Sequence, residues 1–393
     1  MKILWVKTGF LHPTTRGGDI RTLEMLKHLH ARHEVHYAAP SDASQPEGLA
    51  RCHEYCSTVH SRPFQPARKP SPAFFAELLR GVADPLPVSI FRWHSAPFAR
   101  LLADLLARER FDRVICDFLV SAVNLPTPKG CVLFQHNVET MIWRRLAQNE
   151  RHPLKRAYLG RQAAKMFRYE REVCRAARRV VAVSDVDAGL MREMYGIERV
   201  ASIPTGVDTE FFARPAGTEK TADLVFLGSM DYLPNIEGVR WFVREILPLI
   251  HARKPDCTLA VVGRKPPAEI LALGEKDPRI RVTGTVLDVR PYLWGAPVSV
   301  VPLLSGGGTR LKIYEAMAAG TAVVSTKVGA EGLIVNPPRD IRLADTPGLF
   351  ALECLELLGN ALERHSIAEA ALRMVEQRFS WERVSLEFEK LLD

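Results

Sequence analysis

The sequence predicts an α/β fold built from two doubly wound, Rossmann-like domains, and three observations carry that expectation. Short apolar runs alternate with longer amphipathic stretches along the whole chain, the pattern of parallel strands covered by helices on both faces. At 393 residues the chain is too long for one ordinary core and suits two domains. A polar break at 213–222, containing Pro215 and Gly217, separates two such series.

In the first series, β-branched and apolar runs at 3–6, 34–38, 113–117, 131–135, 180–183 and 200–203 read as strands. Helical patterns at 21–30, 95–107 and 154–177 lie between them. In the second series, strands at 224–227, 258–262, 280–282, 298–301 and 322–325 alternate with helices at 235–252, 311–319, 349–363 and 367–376. Asp288 reads as the cap of a short helix at 289–293. A final helical pattern covers 381–392. Two doubly wound domains bind ligands at the carboxyl ends of their strands.

Composition narrows the class further. The 47% hydrophobic and 25% charged content is that of a soluble globular protein. Seven scattered cysteines point to free thiols in a reducing compartment rather than a disulfide framework. The pair Cys52 and Cys56 has no second pair nearby to complete a metal site. The apolar start at 3–6 is too short for a signal peptide, and no stretch approaches a membrane span, so the expected location is cytoplasmic. The net charge of +8 brings no reading helix, zinc finger or stacking platform with it, which sets nucleic acid aside as a partner. Between 144 and 179 there are twelve Lys or Arg against three Glu. Two readings stand for that stretch: a solvated helical face, or a surface that docks peripherally on the anionic inner face of a membrane. Phe74, Phe75, Leu79, Phe91 and Trp93 read as either core or an acceptor wall.

The most informative segment is Ser305-Gly306-Gly307-Gly308-Thr309-Arg310-Leu311-Lys312-Ile313-Tyr314-Glu315. Glycines between a strand and a helix let backbone N–H groups approach a ligand, and the helix N-terminus adds positive potential. Arg310 and Lys312 add two cations, and Glu315 supplies a carboxylate suited to a ribose diol. Phosphate, sugar and ribose together make a nucleotide-sugar site. Arg16-Gly17-Gly18-Asp19, opening the first helix, offers further backbone donors for a diphosphate. Asp185-Val186-Asp187 forms a D-x-D pattern, but it opens a helix behind Ser184 and reads as capping rather than metal binding.

These segments resemble glycosyltransferase family 4, whose members have the GT-B fold, two Rossmann-like domains facing a central cleft. Ile203-Pro204-Thr205-Gly206-Val207-Asp208 resembles the family's interdomain segment, and Val181-Ala182-Val183-Ser184, Leu227-Gly228-Ser229-Met230 and Phe379-Ser380-Trp381 also fit. The resemblance implies an acceptor-side domain over 1–208, a donor-binding domain over 209–379, and a final helix at 380–393 returning to the first domain. It implies a retaining, metal-independent transferase that needs no cofactor, takes a nucleotide-sugar donor (a UDP-sugar favoured) and modifies a hydroxyl acceptor. Building a cell-surface polysaccharide, glycolipid or glycosylated metabolite is the implied purpose. The alternatives are a non-catalytic relative that binds nucleotide sugar, or a nucleotide-sugar epimerase or hydrolase.

Residue by residue, the resemblance places His136 beside the donor sugar near the reacting carbon. It gives the diphosphate to Gly17, Gly18, Gly228, Ser229, Gly306, Gly307, Gly308, Thr309, Arg310 and Lys312, with Arg310 and Lys312 also in a catalytic role. Glu315 takes the ribose, the turn Gly284-Thr285-Val286 reads the base, and Arg264 stacks on it. Two departures matter. Relatives carry Arg and Lys after the glycine equivalent to Gly228, where this chain has Ser229, Met230 and Leu233-Pro234-Asn235. The sugar-reading glutamate of relatives is replaced by Gly307.

Overall fold

The computed structural model describes residues 1–14, 17–68, 70–305 and 310–393. The chain divides into two compact units, one comprising Met1–Ile203 with Ser385–Asp393 and the other Pro204–Val384.

The first unit holds a seven-stranded sheet of β1 (Lys2–Val6), β2 (Glu34–Ala38), β3 (Thr58–His60), β4 (Arg113–Asp117), β5 (Val132–Phe134), β6 (Arg179–Ala182) and β7 (Val200–Ser202), in the order β3-β2-β1-β4-β5-β6-β7. Every pairing in it is parallel. The second unit holds β8 (Leu224–Leu227), β9 (Leu259–Val262), β10 (Ile280–Gly284), β11 (Val298–Val301), β12 (Ala322–Ser325) and β13 (Arg342–Leu343), also parallel, in the order β10-β9-β8-β11-β12-β13. Each sheet therefore winds outward from its first strand, then reverses, at β1/β4 in one unit and at β8/β11 in the other. Such reversals open a crevice at the strands' carboxyl ends.

Helices cover both faces because the strands are apolar on both sides: β8, β9, β11 and β12 are buried at every position. The first core gathers Leu4, Val6, Leu102, Cys116, Leu133 and Met166, and the second Phe226, Ile246, Val261, Val300, Met317 and Phe350. Each such side chain contributes about 1.5–3 kcal/mol on burial. All seven cysteines are unpaired. No helix among the described residues is long and apolar enough to cross a membrane.

Several expectations needed correction. The helix expected over 235–252 is three segments, Leu233–Trp241, a π-turn at Phe242–Ile246 and Leu247–His251. Pro248 has no N–H to continue the ladder, and the wider turn absorbs the loss. The helices expected over 349–363 and 367–376 are Pro347–Gly359 and Ala361–Arg378. Asn360 makes the break, its side chain accepting from the Glu363 N–H at 3.1 Å. The short helix after Asp288 is Arg290–Trp294, and Asp288 accepts from the Arg290 N–H at 2.9 Å while pairing with its guanidinium.

Pro72–Ala83 is a helix the sequence reading did not assign; Ser71 caps it and Pro72 opens it. Phe75 and Leu79 stand 56% and 75% exposed on it, so they are not core.

The basic stretch is not one solvated face. Lys165 is buried in the helix Pro153–Ala176, and its Nζ donates to the carbonyls of Gly81, Val82 and Asp84 at 2.8, 3.1 and 2.5 Å. It thereby closes the C-terminus of the helix Pro72–Ala83. Arg175 donates to the Tyr195 carbonyl at 2.7 Å, and Arg179 to that of Leu391 at 2.8 Å. Arg144, Arg145, Arg151, Lys155 and Arg156 remain exposed.

Two segments singled out in the sequence meet in the second unit. The Val207 N–H donates to the Phe379 carbonyl at 2.8 Å. Gly206 lies so close to Trp381 that a Cβ would come within 2.4 Å of the indole, which is why a glycine stands there. The final helix, Trp381–Lys390, begins among second-unit residues and ends among those of the first. Asp187, by contrast, serves its own helix. Its N–H donates to Ser184 Oγ at 3.1 Å, while the carboxylate of Asp185 accepts from Ser202 Oγ.

Candidate functional site

At the first reversal, β4 ends in Asp117, fully buried, and β1 is followed by Lys7, 4% exposed. Asp117 Oδ2 accepts from Trp5 Nε1 at 3.1 Å, Lys7 Nζ at 3.0 Å and Thr22 Oγ1 at 2.7 Å. Its Oδ1 is 2.8 Å from His136 Nε2. Burial alone would raise this carboxyl. The charge of Lys7 and the hydrogen bonds from His136 and Thr22 outweigh it and hold Asp117 well below the usual carboxylate range. Lys7 is also 3.4 Å from Asp19 Oδ1 and 4.4 Å from the Phe118 ring centre.

His136 follows β5 and is 7% exposed. Burial pushes its imidazole down to about 4 despite the neighbouring Asp117, so the ring is neutral near pH 7. A neutral ring beside a carboxylate carries its proton on Nε2, and this assigns Nδ1 as an acceptor. Phe118 lies flat against the ring, 3.8 Å between centres and 4° between planes. Phe118 does so from a left-handed backbone (φ 66°), an unfavourable conformation for a side chain of that size. Gly18, second residue of the helix Gly17–His30, leaves room for both rings: a Cβ there would lie 2.6 Å from the Phe118 ring and 3.6 Å from His136 Nδ1. The structure thus brings Gly18 and His136 together, with Gly17 preceding Gly18 at the start of the helix. Lys7, Asp117 and Phe118 were missed. A charged residue closing a buried strand at a winding reversal, as in Val114-Ile115-Cys116-Asp117, was the available signal.

The N–H groups opening the next helix, Glu139–Asn149, go to Glu170. Its carboxylate accepts from the backbone N–H of Glu139 at 3.0 Å and of Thr140 at 2.8 Å, and from Tyr195 Oη at 2.6 Å. Asn137 does not cap that helix, because Val138 occupies the capping position. Burial, reinforced by Glu170, lifts Glu139 to about 7.

At the second reversal, Gly228 follows β8 and Lys312 stands in the first turn of the helix Leu311–Ala318. A Cβ on Gly228 would meet Lys312 Nζ at 2.6 Å and Asn235 Nδ2 at 2.8 Å, so the glycine makes space for the ammonium. Lys312 donates to Asn235 Oδ1 at 2.8 Å and lies 4.6 Å above the Phe226 ring. Asn235 Nδ2 in turn donates to the Ser229 carbonyl at 2.7 Å. Thus the segment after Gly228, which lacks a cation of its own, receives one from the glycine-rich loop's helix. Asn235 is the residue that positions it.

Desolvation is the main influence on both titrating groups of this helix. It lowers Lys312 to about 7, with Arg310 adding repulsion and Glu315 opposing, and it raises Glu315 to about 7 against the pull of Lys312. Both side chains keep some solvent access while being ringed by protein atoms. Three residues apart on one helix, they share a face. Arg310, 5% exposed, begins the helix, its carbonyl accepting from the Ile313 N–H at 3.0 Å.

Arg264 donates through Nε to Ser229 Oγ at 2.8 Å and lies 3.5 Å from Asp231 Oδ2. Gly284, with φ 69°, ends β10, so Gly284, Thr285 and Val286 stand two strands out from β8. Gly306, Gly307, Gly308 and Thr309 lie outside the described residues, as does Arg16.

The family model described as Glycosyltransferase Family 4 matches residues 15–211, and that described as Glycosyl transferases group 1 matches residues 221–360. An uncharacterized 44.6 kDa protein in the cps region of Klebsiella pneumoniae is 20% identical over 298 residues, 72% of this chain and 74% of that protein. The phosphatidyl-myo-inositol mannosyltransferase of Mycolicibacterium smegmatis is 28% identical over 223 residues, 54% of this chain. The match spans 56% of the mannosyltransferase's own length. Among solved structures, Anabaena HepE in complex with UDP superposes with a TM-score of 0.67 at 15% identity, covering 100% of this chain and 99% of that one. Sucrose-phosphate synthase from Thermosynechococcus elongatus gives 0.70 at 17% identity, with 100% and 98% coverage.

The His136 geometry makes a test. In Asp117→Asn, Trp5 and Lys7 still need an oxygen, so the amide NH₂ must face His136 and force the imidazole proton onto Nδ1. Long-range ¹H–¹⁵N NMR at pH 7 should show Nε2–H in the parent protein and Nδ1–H in the variant. An Nε2–H signal persisting in the variant would contradict this reading of the cluster.

Proposed function

Because the chain belongs to glycosyltransferase family 4 and has the two-domain GT-B architecture, we propose that it moves a sugar from a nucleoside diphosphate sugar, UDP-linked by preference, to a hydroxyl acceptor, with retention and without an essential metal. The observation that carries this reading is the crevice of the second unit, where Gly228 admits Lys312 and where Arg310 and Glu315 stand on the same helix. Two cations near a helix N-terminus suit a diphosphate, and a carboxylate three residues beyond Lys312 suits a ribose diol. The UDP complexes of HepE support the choice of nucleotide.

In the proposed reaction, the bond from the anomeric carbon to the diphosphate breaks and the acceptor oxygen bonds to the same face of that carbon. The acceptor's proton passes to the departing phosphate oxygen. The transition state has oxocarbenium character, and negative charge grows on the leaving group. Arg310 and Lys312 stabilise that charge most once it has developed. Neutral His136 addresses a hydroxyl of the sugar through Nδ1, and Gly17 and Gly18 offer backbone N–H groups. Gly228 and Ser229 flank the diphosphate, with Gly284, Thr285, Val286 and Arg264 left to the base. The Asp187 carboxylate accepts from the capping Ser184 Oγ and that of Asp185 from Ser202 Oγ, which supports chemistry without a metal at that D-x-D.

We also propose that the enzyme works at an anionic membrane surface. Exposed Arg144, Arg145, Arg151, Lys155 and Arg156 are interspersed with Ile142, Leu146 and Leu154, which are 40%, 49% and 76% exposed. That mixture of cations and apolar side chains suits the lipid headgroup region.

Three outcomes are expected. UDP affinity should fall as pH rises from 6 to 8.5. Over that range Lys312, lowered to about 7, loses its charge and Glu315, raised to about 7, gains one, so both changes make the crevice more negative. Lys312→Met should weaken UDP binding about ten- to a hundredfold, the worth of one charge-assisted hydrogen bond, and flatten that profile. Calorimetric titration checks both; a pH-independent parent with an unaffected variant would contradict the proposal. For the membrane, Arg144→Glu with Arg145→Glu should abolish co-sedimentation with phosphatidylglycerol vesicles, and a parent protein that ignores such vesicles would refute it.

A further inference from the structure

At the end of the second unit's sheet away from Gly228 and Lys312, a cavity of about 610 Å³ lies at the amino ends of β8, β11 and β12. Every residue lining it belongs to that unit. Its volume falls within the range of small-molecule sites, about 300–1,000 Å³. The polar linker forms one wall. The Thr221 N–H donates to the Gly295 carbonyl at 2.8 Å, and a Cβ on Gly295 would lie 2.7 Å from the Glu219 carbonyl. The helix Ala361–Arg378 forms another wall, through Ala361, Arg364 and Ala368.

Arg214, Lys220, Lys254 and Arg364 line this cavity against one carboxylate, Asp223. That carboxylate is already engaged. It accepts from Lys220 Nζ at 2.8 Å and from the Thr258 N–H and Oγ1, both at 2.9 Å. Lys254 pairs with Asp256 at 3.2 Å, and His365 with Glu369 at 3.3 Å. The two guanidiniums are held differently. Arg214 donates to Thr321 Oγ1 at 3.0 Å, and that hydroxyl donates onward to the Leu293 carbonyl at 2.7 Å. Arg364 donates to the Leu357 carbonyl at 2.6 Å. Carbonyl and hydroxyl oxygens orient both groups, and neither pairs with a carboxylate among the described residues. Burial, and then the charge of Arg364, lowers Arg214 below the usual guanidinium range, so the two cations repel each other.

Two oriented guanidiniums without a carboxylate select an anion. A neutral ligand would leave their repulsion in place. A carboxylate, with its single charge, would offset only one of them. A phosphate monoester carries about −1.5 to −2 charges at pH 7 and presents three acceptor oxygens, so it can offset both and bridge them. The N-terminus of the helix Ala361–Arg378 adds positive potential on the same side. A bare phosphate would fill little of the volume. Trp294, Pro297 and Ala368 give an organic body apolar surface to lie on.

We infer that this cavity is a second ligand site, separate from the crevice at Lys312, and that it takes a small phosphate monoester whose phosphate bridges Arg214 and Arg364. The site would exist whether or not the crevice binds UDP.

Calorimetric titration of the full chain in phosphate-free buffer tests it, with glycerol 3-phosphate and glucose 6-phosphate as probes and glycerol and glucose as uncharged controls. At least one monoester should bind, with and without UDP present, and neither control should. Its affinity should fall at least tenfold in Arg214→Met and in Arg364→Met, the worth of one charge-assisted hydrogen bond, with circular dichroism and UDP response as in the parent. Should Arg364→Met lose that circular dichroism, Arg214→Met, at an exposed position, decides. A parent protein that binds neither monoester overturns the inference, as does binding that UDP abolishes or that Arg214→Met leaves intact. Inorganic phosphate bound as tightly as both monoesters also overturns it, since no organic body would then be read. A second arm uses phosphatidic acid vesicles. Vesicle binding that Arg214→Met removes, with no response to the soluble monoesters, overturns it too, because a lipid headgroup would then be the ligand.

Discussion

Parallel strands force their connections to run from one end of the sheet to the other, and a sheet that winds first one way and then the other must open a gap where it turns. Both units of this chain meet that constraint, at β1/β4 and at β8/β11. Lys7 and Asp117 stand at one gap, and Gly228 and Lys312 at the other. The residues proposed to carry the chemistry stand at these strand ends because there a doubly wound sheet leaves space for a ligand.

The two gaps handle buried charge in opposite ways. Asp117 is saturated, with four donors on its two oxygens, and its partners hold it ionised. Such a cluster is rigid, and its product is a fixed neutral imidazole. Around Lys312 the balance is looser. Asn235 and the Phe226 face are its close partners, and desolvation leaves both Lys312 and Glu315 near the middle of their titration at neutral pH. The diphosphate proposed to bind there would supply the negative charge this ammonium lacks, so that ligand binding and protonation would reinforce each other.

The fold class was legible because alternating apolar and amphipathic segments survive every local irregularity, and buried parallel strands read as uninterrupted apolar runs. What escaped was short or set by distant partners. β3 is three residues at a sheet edge, and β13 is two. The helix Pro72–Ala83 is closed by a lysine more than eighty residues away, and the helix Glu139–Asn149 is capped by Glu170. Spacing along the chain carries no trace of either. The same limit applies to the site. Lys312, Glu315 and His136 stood out by residue type and position after strands. The residues that set their state did not: Asp117 looked like a strand end, and Asn235 like a missing cation. Reading twelve basic residues as one surface failed for the same reason, since Lys165 and Arg179 are spent on carbonyls brought close by folding.

The central claim is that the helix Leu311–Ala318 holds the donor's diphosphate and ribose, and a crystal structure of the chain with UDP tests it most directly. The account predicts phosphate oxygens within hydrogen-bonding distance of Lys312 Nζ and the Arg310 guanidinium, and ribose hydroxyls on the Glu315 carboxylate. UDP bound with its diphosphate away from both cations, or its ribose away from Glu315, would contradict it.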